Sequence, residues 1–123
     1  MVFSEKFEIT NDMVLSYSTL IGDKNPIHLD SEYAKQTIFE KPIAHGMLIS
    51  SFFSKMISET YPGHGSIYLS QNIKFLKPCY IGETINVVLK LINKDKNKYE
   101  LSTQIYDSKK TLLVDGTALI LKK

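Results

Sequence analysis

Asp23 and His28 stand five positions apart, with Asn25 between them, in a segment stiffened by Pro26. A carboxylate and an imidazole that converge can share proton transfers near neutral pH: the carboxylate steadies an imidazolium, and the imidazole takes or gives the proton. Asp and Asn also serve as ordinary turn formers, so this pair gains weight from a second cluster, Ala44-His45-Gly46-Met47-Leu48. A glycine at the start of a helix lets a ligand oxygen approach free backbone amides, and the helix dipole favours negative charge developing on that oxygen. His45 reads as a cap or as a buried hydrogen-bonding residue that shapes the turn. Gly46, Ser50, Ser54 and Ile57 follow at helical spacing and define a face able to line a pocket.

These residues need elements to position them. Residues 3–9 alternate Phe3, Glu5, Phe7 and Ile9 against Ser4, Lys6 and Glu8, which predicts a short strand. Thr10, Asn11 and Asp12 offer caps to an amphipathic helix built on Met13, Val14, Tyr17, Leu20 and Ile21 and closed by Gly22. Residues 23–30 read as an ordered loop, after which Asp30 or Ser31 caps a brief helix through Tyr33, Ala34 and Lys35. Residues 45–61 carry Met47, Leu48, Ile49, Phe52, Phe53, Met56 and Ile57 around nearly every direction of a helical wheel, which predicts a buried central helix. Pro62, Gly63, His64 and Gly65 end it, and the period then changes to two. Runs around Ile67–Phe75, residues 85–91, residues 99–105 and residues 111–121 predict a strand meander, with hairpin connections at residues 93–98 and 107–110. The expectation is one α+β domain, residues 1–123, with an antiparallel sheet wrapped around a long central helix.

Composition removes several classes of function. With 123 residues, 43% of them hydrophobic and 23% charged, the chain suits one folded domain, and no segment reaches the roughly 20 apolar residues of a membrane span. Its start lacks the basic and apolar regions of a secretory signal, so a cytoplasmic address is expected. Cys79 is the sole cysteine and has no partner for a disulfide or a structural zinc site. All of the 15 basic residues are lysine, mixed with 13 acids, a poor match to nucleic-acid recognition.

Residues 23–30, Asp-Lys-Asn-Pro-Ile-His-Leu-Asp, followed by Lys-Pro-Ile-Ala-His-Gly-Met-Leu at residues 41–48, resemble the hydratase motif of the MaoC-like (R)-specific enoyl-CoA hydratases, which have the hotdog fold. The resemblance continues through Pro62-Gly63-His64-Gly65, Phe75-Leu76-Lys77-Pro78 and Ile81-Gly82-Glu83 and so covers nearly the whole chain. It implies reversible hydration of a trans-2-enoyl-CoA to an (R)-3-hydroxyacyl-CoA without a metal or redox cofactor. It also implies Asp23 and His28 as the catalytic pair and the Gly46 amide as the group that stabilises the enolate. Asn25, Ser54 and Ile57 would be substrate-binding positions: Asn25 holding the loop or water, Ser54 orienting the Asp23 carboxylate, Ile57 bordering the acyl pocket. A homodimer joined edge to edge by its sheets is implied as well. With no arginine in the chain, lysines such as Lys74 and Lys77 would have to meet the phosphates of CoA. The rival readings are a dehydratase acting on acyl-carrier protein and a non-catalytic acyl-CoA-binding module. A thioesterase would need an acid on the central helix, where Glu59 alone is available, near its far end.

Overall fold

The computed structural model describes residues 1–123, in the order β1 (Val2–Glu8), α1 (Asn11–Ile21), α2 (Pro26–Leu29), α3 (Ser31–Lys35), α4 (Gly46–Glu59), β2 (Ile67–Phe75), β3 (Thr84–Asp95), β4 (Lys98–Tyr106) and β5 (Leu112–Leu121). The strands form one antiparallel sheet in the order β1-β3-β4-β5-β2, so the last three strands in sequence are neighbours and the first two lie at the two edges. Fully buried Ile85, Val87, Leu89, Leu101, Ile105, Leu113 and Ile120 pack against Ile49, Phe53, Met56 and Ile57 of α4. Removing those side chains from water drives the layering of helix on sheet.

Helix α4 departs from the expectation of burial on every side. Its buried stripe is Leu48, Ile49, Ser50, Phe53, Met56 and Ile57, while Met47, Ser51, Ser54 and Lys55 stay exposed. The sheet covers one flank only, and the small serines allow the other to remain wet. The segment expected to be a loop contains a one-turn helix, α2, because Pro26 at its first position needs no amide partner and Asn25 Oδ1 accepts from Ile27 N at 3.2 Å. Asp30 Oδ1 caps α3 in the same way, accepting from Glu32 N and Tyr33 N. The β3–β4 turn is tighter than expected: pairing continues to Asp95 and Lys98, leaving Lys96 (φ 56°) and Asn97 to make the reversal. Strand β2 is an edge, so its apolar residues are not all covered: Ile67 and Phe75 are more than half exposed. No helix of the chain is long and apolar enough to cross a membrane.

Candidate active site

Helix α1, capped by Thr10 and closed by Gly22 in the left-handed conformation (φ 81°), delivers the chain into Asp23. The turn that follows is self-bonded: Asp23 Oδ1 accepts from Asn25 N at 3.3 Å, and Asn25 in turn caps α2, which carries His28. Residues 43–45 then run back past this turn. Ile43 N donates to Ile27 O, Ile43 bridges Tyr80, and Ala44 N donates to Cys79 O at 2.8 Å. These bonds fix the entry into α4 beside α2, so that His45 and Gly46 meet His28.

His28 Nδ1 lies 2.7 Å from Ile43 O. A carbonyl only accepts, so the ring carries its proton on Nδ1 and leaves the Nε2 lone pair free to work as a base. Burial, ahead of any charge, lowers the His28 pKa below its ordinary 6.5; the neighbouring His45 pushes the same way, while the hydrogen bond to Ile43 and the charge of Asp23 oppose it. His45 is 2% exposed and stacks on His28 with ring centroids 3.8 Å apart. Its Nε2 is 3.0 Å from Ser18 Oγ and 3.2 Å from Asp23 O; the Nε2–H tautomer donates to that carbonyl and so ties α1, the Asp23 turn and α4 together. Nδ1 of His45 is left without a partner. The ligating atoms of Asp23, His28 and His45 all lie within 4.8 Å of one another, which makes them the one cluster with metal-ligand chemistry. The same separation lets a single water bridge a carboxylate and an imidazole.

Gly46 opens α4, and its amide has no hydrogen-bond acceptor in the chain. A Cβ at this position would stand 2.5 Å from the Phe75 ring, so the residue is glycine because an aromatic side chain of β2 lies against it. Asp23, His28 and Gly46 together line a cavity of about 340 Å³ whose other walls include Phe39, Ile43, Met47 and Phe75. A mostly apolar wall with a few convergent polar groups suits a ligand with an apolar body and one reactive polar end. Cys79 also lines it, but burial, with Glu83 and Asp107 adding to the effect, pushes its thiol up to about 12, so it is no thiolate nucleophile near neutral pH.

Not every expected residue joins this group. Asn25 is exposed, and its side-chain oxygen is engaged by Ile27 N, which gives it the loop-holding role. Ser54 is exposed on α4 eight residues from Gly46, roughly 12 Å along the helix axis, and does not line the cavity with Asp23. Ile57 is 1% exposed and built into the core. Gly46, Ser50, Ser54 and Ile57 stay within an arc of about 80° on the helix, but what covers that arc changes along it: Ser50 and Ile57 are buried, Ser54 is exposed, and of the four only Gly46 lines the cavity. Ser18 and Phe75 are additions. Ser18 lies in no recognisable motif and Phe75 only opens the Phe75-Leu76-Lys77-Pro78 segment of the resemblance, so the packing of α1 and β2 is what reveals their places. Glu59, the acid of the thioesterase alternative, is paired with His64 at 2.8 Å and lies outside the cavity.

Comparison with known proteins bears on the family and the fold. A family model described as a MaoC like domain matches residues 1–111. The (R)-specific enoyl-CoA hydratase of Aeromonas caviae is 39% identical over 109 residues, covering 87% of this chain and 81% of that protein. A mitochondrial 3-hydroxyacyl-[acyl-carrier-protein] dehydratase of Solanum lycopersicum is 39% identical over 121 residues, covering 95% of this chain and 72% of that protein. Among solved structures, the (R)-hydratase from Aeromonas caviae superposes with a TM-score of 0.95 at 33% identity, covering 100% of this chain and 95% of the other.

Proposed function

Since the chain belongs to the MaoC-like domain family, a hotdog-fold group of hydro-lyases, we propose that it is an (R)-specific enoyl-CoA hydratase that acts as a single domain over residues 1–123. The observation that carries this reading is the convergence of the Asp23 carboxylate, the free Nε2 side of His28 and the unpaired Gly46 amide on one largely apolar cavity. A water held between Asp23 and His28 attacks Cβ of a trans-2-enoyl thioester. As its oxygen bonds to Cβ, one proton passes to the pair and the double-bond electrons move toward the thioester oxygen. The Gly46 amide, aided by the α4 dipole, stabilises that developing enolate. A proton returned to Cα completes the net addition of water and restores the pair. Nε2 is the atom of His28 that exchanges protons, because the Nδ1 proton is held by Ile43 O.

The working unit is a homodimer. Strand β2 pairs with β5 alone and leaves its other edge open, flanked by exposed Ile67, Tyr68 and Leu69, a surface that a second copy can extend and cover. A cytoplasmic setting fits the unpaired thiol of Cys79. The decisive experiment follows loss of enoyl-thioester absorbance with crotonyl-CoA, beside Asp23→Asn and His28→Ala and with a chiral assay of the product. Rapid loss in the wild type, collapse in both folded variants and an (R)-hydroxyl product support the reading; no turnover at any chain length sinks it. The second reading, a dehydratase of acyl-carrier-protein thioesters, is favoured by the 39% identity with the tomato protein and is separated by comparing the two forms of the same acyl thioester.

A further inference from the structure

Of the 11 residues of α1 only Val14 and Ser18 are buried. Burial is natural for a valine, but a hydroxyl that is 2% exposed needs a hydrogen-bond partner, since burying it unbonded is costly. That partner comes from the start of α4: Ser18 Oγ is 3.0 Å from Nε2 of His45, which is itself 2% exposed. The backbone of Ser18 works in the same region, its carbonyl accepting from Gly22 N at 2.8 Å in the turn that delivers Asp23. Ser18 therefore meets the catalytic turn twice, once directly and once through an imidazole.

The His45 ring is fixed by four neighbours. Nε2 faces Ser18 Oγ and Asp23 O, one face stacks on His28 with centroids 3.8 Å apart, and Tyr17 meets the ring edge-on at 4.9 Å. Nδ1 alone lacks a partner. With the proton on Nε2, one N–H is shared by two oxygens and the orphan is only an acceptor. With the proton on Nδ1, a buried N–H is orphaned and the Nε2 lone pair points at a carbonyl oxygen, so the first arrangement prevails. Turning the ring over would put carbon in the place of Nε2 and lose both contacts. Asp23 has little else to steady it: it is exposed, and its carboxylate accepts one bond, from Asn25 N at 3.3 Å, within its own turn. His45 is thus the group that touches both members of the pair, Asp23 at its carbonyl and His28 across its ring. Resting on the hydratase reading, we propose that Ser18 is a positioning residue of the reaction: acting through His45, it fixes the Asp23 turn and the plane of His28 so that the carboxylate and Nε2 face the same water. Rate is sensitive to such placement, a displacement of about 1 Å being worth about 10²-fold. Substrate binding is not, because Ser18 is absent from the cavity lining.

The test measures kcat and KM for crotonyl-CoA on the plateau of the pH profile in Ser18→Ala, Ser18→Cys and Ser18→Thr. Alanine and cysteine fill the site without a strong acceptor, so kcat is expected to fall about tenfold while KM stays within about twofold. Threonine keeps a hydroxyl and should recover part of the loss. A residue that merely fills space predicts the wild-type kcat for alanine and cysteine, and that result overturns the proposal. The route through His45 is checked by repeating Ser18→Ala in a His45→Phe background, where a ring still faces His28 and no N–H remains. There the tenfold step should vanish, and a step of undiminished size overturns the proposal. Should His45→Phe fail to fold, amide hydrogen exchange across residues 22–28 decides instead: faster exchange in Ser18→Ala than in the wild type supports the proposal, and equal exchange overturns it. Should the wild type hydrate neither crotonyl-CoA nor the carrier-protein thioester, the hydratase reading fails, and the same exchange comparison judges the hold of Ser18 on the turn by itself.

Discussion

In the proposed mechanism His28 works through the one nitrogen that the fold leaves free. With its Nδ1 proton held by Ile43 O, the ring can act as a base only while Nε2 keeps its lone pair, that is, above the His28 pKa. Burial places that pKa below the ordinary 6.5, so the acid limb of kcat/KM for crotonyl-CoA hydration should have its midpoint below 6.5 and disappear with His28→Ala. Removal of His45 takes away one of the influences that lower it. The acid limb of His45→Gln should therefore move upward, toward 6.5, in the pH–rate profile. Loss of either Asp23 or His28 is expected to lower kcat by about 10²–10⁴-fold, the usual range for a positioned acid or base. Gly46→Ala probes a different demand. Its amide remains, but the new methyl meets the Phe75 ring at 2.5–3.0 Å, so the ring must move out of the cavity wall and kcat should fall while circular dichroism stays native. Larger side chains at 75 would leave that clash in place, whereas Phe75→Leu combined with Gly46→Ala should recover part of the rate.

The elements explain how such small residues hold so tight a group. Asn25 caps a helix of only four residues, and the last but one of them is His28; without the cap, α2 has little to keep its first turn closed. Asn25→Ala should cost about 1 kcal/mol or less of stability, read from the denaturant midpoint, yet lower kcat well beyond that by releasing His28. Asn25→Asp keeps an acceptor at the same place and should restore much of the rate. How far the sequence discloses all this depends on the range of the forces involved. Alternation in β3, β4 and β5, the Thr10 and Gly22 limits of α1 and the Asp30 cap of α3 are local signals, legible in a few residues. Asp23, His28 and Gly46 were legible as a motif. The roles of Ser18 and Phe75 were not: Ser18 looks like any serine on a helix, and the segment that Phe75 opens resembles the family without saying what its ring touches; both reach the site only when α1 and β2 pack. Ser54 and Ile57 were placed by helical spacing, which gives a face but not what covers it. The sheet takes Ile57 into the core and leaves Ser54 in the open.

At the scale of the whole molecule, one sheet and one long helix share a core on one side, and the other side of each is left for other work. Phe53, wholly buried between α4 and the sheet, belongs to the stabilising side, and Phe53→Ala should cost about 3–5 kcal/mol in denaturant unfolding, a large part of the roughly 5–15 kcal/mol that holds a typical domain. The β2 edge belongs to the other. Ile67 is 56% and Leu69 45% exposed beside a strand with unpaired backbone, an arrangement that invites a second sheet to continue the first. The same strand supplies Phe75 to the wall of the catalytic cavity, so pairing along this edge and the shape of the site are mechanically joined. Light scattering on the purified protein should therefore give twice the chain mass. Ile67→Glu/Leu69→Glu adds like charges to the edge through which the proposed dimer would form, at two residues outside the buried core. That variant should run at the mass of one chain, keep its far-ultraviolet spectrum and lose most of its hydratase rate, because Phe75 loses the support that holds it against Gly46. A variant that stays double in mass would place the contact elsewhere on the molecule, and a monomer of full activity would show that each chain builds its site alone.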